Sequence, residues 1–146
     1  MSPLVFDAFA SIAKRLYSAK SPEAVLEIGA GGWTLLSIPN FVLSQRVALN
    51  LRFDTVTEQL QQTRRVIGNS NEMEFPDESF DCVMSCSAME HDKYFWRTVS
   101  EAKRVLKHGG VFIVGVPIYM TLPSDINFTT VTYARHGLSY NADFYR

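Results

Sequence analysis

Residues 25–33 read Val-Leu-Glu-Ile-Gly-Ala-Gly-Gly-Trp, an apolar run with one carboxylate near its end that passes at once into a glycine-rich loop. This junction constrains the fold more than any other part of the chain. A short apolar run with no polar alternation suits a parallel strand buried on both faces. Glycine in the loop that follows opens backbone angles closed to other residues and lets a ligand approach the main chain. A carboxylate at the strand end, Glu27, favours hydroxyl or ammonium groups over phosphate, because a pyrophosphate loop more often presents only amides. Alone, the pattern also fits a tight turn, so its meaning depends on what lies downstream.

The 146 residues, 47% hydrophobic and 12% aromatic, suit one globular domain with a single core. The net charge is −1, from 14 basic against 15 acidic side chains. With no polybasic run, the sequence points to neither nucleic acid nor membrane as a partner. The apolar stretches fall short of the roughly 20 residues of a membrane helix. The N-terminus lacks the layout of a signal peptide, so a cytoplasmic protein is expected. Cys82 and Cys86 lie four apart near or in one strand, too far along it to pair easily, and read as small buried residues. His91, His108 and His136 are scattered without metal-ligand spacing, and no metal site is expected.

Val5, Phe9, Ile12, Ala13 and Leu16 recur at helical spacing and predict an amphipathic helix within 4–19, broken by Ser21-Pro22-Glu23. Strands are expected at 24–28, 45–51, 66–67, 81–86 and 111–116. Pro39 interrupts the crossover at 33–44 and predicts two short helical pieces or a loop. Residues 54–64 suit a short helix or a loop. Lys93–Leu106 predicts a helix with Phe95, Val99, Ala102 and Leu106 inward, followed by a Lys107-His-Gly-Gly turn. Strands alternating with helices imply a parallel sheet with right-handed crossovers.

Three separated motifs then carry a resemblance. The first is Glu27-Ile-Gly29-Ala-Gly31. The second is Gly68-Asn-Ser-Asn, followed by Phe75-Pro-Asp-Glu-Ser-Phe-Asp81 and Glu90-His91. The third is Arg104-Val-Leu-Lys-His-Gly-Gly110. In this order and spacing the chain resembles the class I S-adenosylmethionine-dependent methyltransferases of the small-molecule type, from residue 23 to about 117. The resemblance implies an α/β, Rossmann-like three-layer sandwich with a mostly parallel sheet of about five strands in the order 3-2-1-4-5. With it a single domain is expected over 1–146, divided into an N-terminal helix at 1–20, a cofactor-binding core at 24–117 and a truncated tail at 118–146. It also implies S-adenosylmethionine as cofactor and a small-molecule methyl acceptor.

By the same resemblance Glu27, Gly29, Ala30 and Gly31 would face the methionine part of the cofactor, with Glu27 attracting its ammonium group. The family often has a further glycine where this chain has Trp33. Asn50 stands where a carboxylate usually takes the ribose hydroxyls, with Asp54 as a nearby substitute. Asn69 replaces the usual Asp against the adenine amino group, and the main-chain amide of Ser70 or Asn71 would reach a ring nitrogen. Ser85 and Cys86 end strand four at the crevice, and His91 is the candidate general base. Asp81 is read as hydrogen-bonding nearby backbone amides. Tyr119, His136 and Tyr140 would shape an acceptor pocket or belong to a surface segment. Two amides in place of carboxylates weaken cofactor binding by on the order of 1–3 kcal/mol.

The chain stops before the family's strands six and seven, either as a fragment or as a domain without that hairpin. Strand five, apolar on both faces, would then have an open outer edge, which leads to an expected homodimer unless the tail covers it. The leading function is an S-adenosylmethionine-dependent methyltransferase. The alternative is a non-catalytic methyltransferase-like binding or assembly module, favoured by Asn50, Asn69, Trp33 and the missing hairpin. A nicotinamide-dependent oxidoreductase fits less well, because no carboxylate ends strand two.

Overall fold

The first strand, β1 (Ala24–Ile28), is buried at all five positions, which is what its unbroken apolar run requires. Around it the computed structural model, which describes residues 3–117 and 129–135, builds an α/β fold. Helix α1 (Pro3–Leu16) buries Val5, Phe9 and Ala13 on one stripe. After β1 come two 3-10 turns, Leu35–Ser37 and Pro39–Phe41, the broken crossover expected from Pro39. Then follow β2 (Gln45–Asn50), the single turn α2 (Glu58–Gln61), β3 (Arg64–Ile67) and β4 (Phe80–Cys86). A 3-10 turn at Met89–His91 leads to α3 (Phe95–Val105), β5 (Leu106–Pro117) and β6 (Thr129–Arg135).

The sheet order is β3-β2-β1-β4-β5-β6. The first five strands run parallel in the expected 3-2-1-4-5 order. Successive residues of β1 serve opposite faces. Val25 packs with Phe9, Leu36, Phe41 and Ile113, whereas Leu26 packs with Leu49, Phe80, Ala102 and Val105. These two clusters are the cores on the two faces of the sheet.

Strand β6 pairs antiparallel with the outer edge of β5, from Val111↔Arg135 to Pro117↔Thr129. The edge that the sequence leaves open is therefore covered by the chain itself. The physical reason for expecting a homodimer through β5 falls away. Residues 118–128 and 136–146, with Tyr119, His136 and Tyr140, lie outside the described residues.

Two further differences have local causes. The stripe of α3 that faces the sheet is Thr98, Ala102 and Val105. Phe95 opens the helix one turn earlier and stays 50% exposed, packed edge-on against Trp96 instead of inward. The Lys107-His-Gly-Gly segment belongs to β5, where the pairing slips from Phe80↔Leu106 to Cys82↔Val111. That bulge needs glycine, since a Cβ at Gly110 would lie 2.8 Å from the Lys107 carbonyl oxygen and 3.1 Å from that of Asp81.

Asp81, opposite the slip, ties the sheet's lower end together. Its Oδ2 accepts from the amides of Glu23 (2.9 Å) and Ala24 (2.8 Å) where β1 begins. The Lys107 ammonium lies 3.1 Å from its Oδ1. Asp81→Ala strands these donors and is expected to cost about 2–4 kcal/mol, read as a lower urea midpoint with an unchanged m-value.

Candidate functional site

Strands β1, β2 and β4 end on one side of the sheet, and the loops that leave them enclose a crevice. It has two adjoining compartments. The first, about 420 Å³, lies between the end of β2, the Gly68–Asn71 turn and the segment from Ser87 to Asp92. The second, about 390 Å³, lies under the β1 loop and is lined by Glu27, Gly31, Trp33 and Cys86 among others. Gly29 and Ser87 belong to both walls. Such volumes are those of small-molecule sites.

The β1 loop is held from three directions. Gly29 adopts φ +80°, and a Cβ there would sit 2.3 Å from the Ala88 Cβ, so the loop after β1 meets the Ala88 methyl group of the loop after β4 with bare backbone. The Gly29 amide donates to the Leu49 carbonyl at 2.8 Å. Asn50 Nδ2 donates to the Ala30 carbonyl at 2.7 Å while its Oδ1 accepts from the Leu51 amide at 2.8 Å. Gly31, by contrast, faces open space, with nothing within 4 Å of a Cβ built there.

Glu27 supplies the third hold. Its Oε2 accepts from the Thr34 hydroxyl and from the Leu35 amide at 3.0 Å. The same Thr34 oxygen accepts from the Leu36 amide at 3.1 Å, so it caps the first 3-10 turn. The carboxyl group is only 2% exposed. Burial pushes its pKa up to about 7, against the lowering effect of the Thr34 and Leu35 hydrogen bonds. Thr34 was not singled out in the sequence, although a Thr just before a short apolar run is a capping signal.

The floor of the first compartment is a polar network. Asn69 Oδ1 accepts from the Asn71 amide (3.0 Å) and from Asn71 Nδ2 (3.2 Å), which closes a small turn. Asn71 Nδ2 also donates to Asp92 Oδ2 at 3.1 Å, and the Thr98 hydroxyl lies 3.0 Å from that oxygen and 2.8 Å from the Ser70 hydroxyl. Asp92 Oδ1 accepts from the Tyr94 amide at 2.8 Å. Burial works against the Asp92 carboxylate, yet the Tyr94, Asn71 and Thr98 hydrogen bonds hold its pKa below the usual value. The two donations from Nδ2 fix the Asn71 amide, and its Oδ1 is left buried without a hydrogen-bond partner. Asp92 was missed by sequence reasoning. Its position three residues before α3, a turn-forming site for Asp, was the available signal.

The other expected residues fall in different places. Ser85 is 1% exposed, lines neither compartment and leaves its hydroxyl buried and unpartnered, because strand alternation puts it on the opposite face from Cys86. Ala30 is buried and enters the site through its carbonyl. The Cys86 thiol is pushed above its ordinary pKa, first by burial and then by the nearby carboxylates Glu27 and Glu90 despite the Ser87 contact, a shift that disfavours the thiolate. His91 lines the first compartment with a side chain 76% exposed, Nε2 lying 3.8 Å from Glu90 Oε1. Asp54 pairs with Arg52 at 2.9 Å on the surface and lines neither compartment.

With a five-stranded parallel 3-2-1-4-5 core and a crevice at the carboxyl ends of β1, β2 and β4, the architecture is that of a Rossmann-like methyltransferase fold. A family profile described as a methyltransferase domain matches residues 26–114, and the chain belongs to that family. It is similar to a chloroplastic 2-methyl-6-phytyl-1,4-hydroquinone methyltransferase of Oryza sativa, with 30% identity over 107 residues, covering 66% of this chain and 32% of that protein. It is similar also to the sterol 24-C-methyltransferase of Yarrowia lipolytica, with 35% identity over 98 residues, covering 60% of this chain and 26% of that protein. The chain thus spans about a third or less of the length of these curated relatives. A candidate methyltransferase of known structure from Bacillus halodurans superposes with a TM-score of 0.60 at 26% identity, covering 80% of this chain and 52% of that one.

Two expectations follow from the β1 loop. Gly29→Ala combines a positive φ with the Ala88 contact and should destabilise the fold by about 2–4 kcal/mol, while Gly31→Ala should stay within about 0.5 kcal/mol, as chemical denaturation will show. For Glu27 the folded pKa of about 7 lies above the ordinary 4.5. Between those values the folded state holds a proton that the unfolded state has lost, so stability falls as pH rises through this window and levels off above 7. Glu27→Gln keeps an acceptor for Thr34 and removes the titration. The stability difference between wild type and variant should therefore change by about 3 kcal/mol between pH 4.5 and 8 in urea titrations.

Proposed function

We propose that this chain forms the cofactor-binding core of an S-adenosylmethionine-dependent methyltransferase acting on a small molecule. The observation that carries the reading is the buried, unpartnered Oδ1 of Asn71, a residue that lines the first compartment. A buried acceptor held in a fixed orientation calls for a donor from a ligand. The exocyclic amine of adenine is such a donor. Of the two main-chain amides considered for a ring nitrogen, that of Asn71 is committed to Asn69 Oδ1, which leaves that of Ser70.

The remaining groups fit the rest of the same molecule. Asn50 lines the first compartment and can offer the second lone pair of its Oδ1 to a ribose hydroxyl. Its Nδ2 is needed by the Ala30 carbonyl 2.7 Å away, where a carboxylate oxygen would be repelled. This is why an amide stands there. Glu27 in the second compartment suits an ammonium or sulfonium centre, which would favour its ionised form. When bound, S-adenosylmethionine supplies an electrophilic methyl group. The chain's own part is to hold the two ends of the ligand apart and leave the acceptor aligned. Transfer to a nucleophilic acceptor needs little more than that, and His91, which lines the first compartment with an exposed side chain, would be the general base where a proton has to leave.

Similarity to enzymes named for a phytyl-bearing hydroquinone and a sterol supports an acceptor with a large hydrocarbon body. A second reading, a module that binds without turnover, is favoured by Asn50, whose amide bridges two parts of the chain and replaces a charged ribose anchor.

Calorimetric titration with S-adenosylmethionine and with its demethylated product tests the reading. Both should bind. The inosine analogue of the product, which has a carbonyl in place of the amine, should bind about 10- to 100-fold more weakly. Equal affinity for the two nucleosides would overturn the Asn71 assignment, and no binding of either cofactor form at millimolar concentration would overturn the function.

A further inference from the structure

The sequence Lys93-Tyr94-Phe95-Trp96-Arg97 opens α3 immediately after His91 and Asp92, which line the first compartment. Its three consecutive aromatics are exposed, at 42%, 50% and 53%. They contact one another edge-on, with ring centroids 5.6 Å apart for Tyr94–Trp96 and for Phe95–Trp96. Lys93 Nζ lies 4.8 Å and Arg97 Cζ 5.3 Å from the centre of the Tyr94 ring. Among the described residues neither cation forms an ion pair with a carboxylate. The adjacent acid, Asp92, turns its carboxylate onto Asn71, Thr98 and the Tyr94 amide. The patch is therefore aromatic and carries two cations without an ion-pair partner among the described residues, next to an Asp92 carboxylate that is engaged by neutral donors.

We propose that this patch docks the mouth of the crevice onto an anionic lipid surface. Trp and Tyr combine an apolar ring with a polar edge and settle at the boundary between headgroups and acyl chains. Lys and Arg beside them bury their stems and keep their charge at the phosphate level. A protein partner would be met more often by an apolar centre depleted of lysine. The charge of the patch thus selects the lipid among possible occupants. No helix among the described residues is long and apolar enough to cross a membrane, so the contact is peripheral. The inference rests on the proposed reading for its purpose, since an acceptor with a large hydrocarbon body is held in lipid and has to reach the crevice from there. The lipid contact itself can be read without cofactor or acceptor.

Co-sedimentation of the full chain with vesicles of phosphatidylcholine, alone or mixed with phosphatidylglycerol, tests the proposal. Wild type should sediment with the mixed vesicles, less so at high salt, and weakly with phosphatidylcholine alone. The double variant Phe95→Ser/Trp96→Ser should lower partitioning about tenfold or more. Lys93→Glu/Arg97→Glu should abolish the preference for phosphatidylglycerol. All four sites are exposed, and calorimetric titration with S-adenosylmethionine reports separately whether the crevice and its assigned function stand. A wild type that stays in the supernatant, or variants that sediment as well as wild type, would overturn the proposal. So would a self-association of wild type that the variants lose while vesicle binding is absent, because the patch would then face a second copy of the chain.

Discussion

A carboxyl group buried at the end of the central strand organises the crevice. Glu27 sits in the middle of a parallel sheet where water cannot solvate it, and hydrogen bonds from Thr34 and the Leu35 amide are what make its position tolerable. Those bonds also decide where the chain goes next. They pull residues 34–36 back over the strand, so the glycine segment between them becomes a loop and the first 3-10 turn starts where Thr34 caps it. Asn50 and Ala88 then fix the loop from its two sides. The site is thus built by closing one loop against three partners, and the sheet supplies the frame.

Much of this was readable from residue order. Alternating elements announced a parallel sheet, the family resemblance implied its strand order, and Pro39 forced the break in the first crossover by removing a helical hydrogen bond. Asp81 was readable as a residue that binds backbone amides. Side-chain commitment was not readable. Asn50 looks like a weakened ribose anchor until the Ala30 carbonyl opposite it is seen, a contact between residues 20 apart in the chain. Asn69 looks like a ligand until its oxygen is found closing its own turn. Asp92 carries no motif, and its role emerges where the turn after β3 meets the start of α3. Ser85 was misplaced by one step of strand alternation. Phe95 fits the inward stripe by spacing, but periodicity cannot say how far along a helix the core extends.

Composition also hid a local fact. A chain of net charge −1 without a basic run gives no reason to think of anionic surfaces. Averages over the chain do not register two cations, unpaired among the described residues, set around three exposed aromatics at the start of α3. The same limit applies to the amides of the crevice. Counted as lost charges they read as decay, whereas in place Asn50 is the donor that the loop after β1 requires and Asn69 the acceptor that closes the turn after β3.

The contact between Gly29 and Ala88 has a mechanical consequence. Where side chains meet, rotamer changes can widen or narrow a passage at little cost. At this shared wall there is one methyl group on one side and bare backbone on the other, so no torsion is available to act as a gate. The spacing is inherited from the separation of adjacent hydrogen-bonded strands β1 and β4, near 5 Å in any sheet. The crevice therefore measures its ligand with a ruler that cannot stretch without breaking strand pairing, and adaptation to different acceptors has to come from the outer rim.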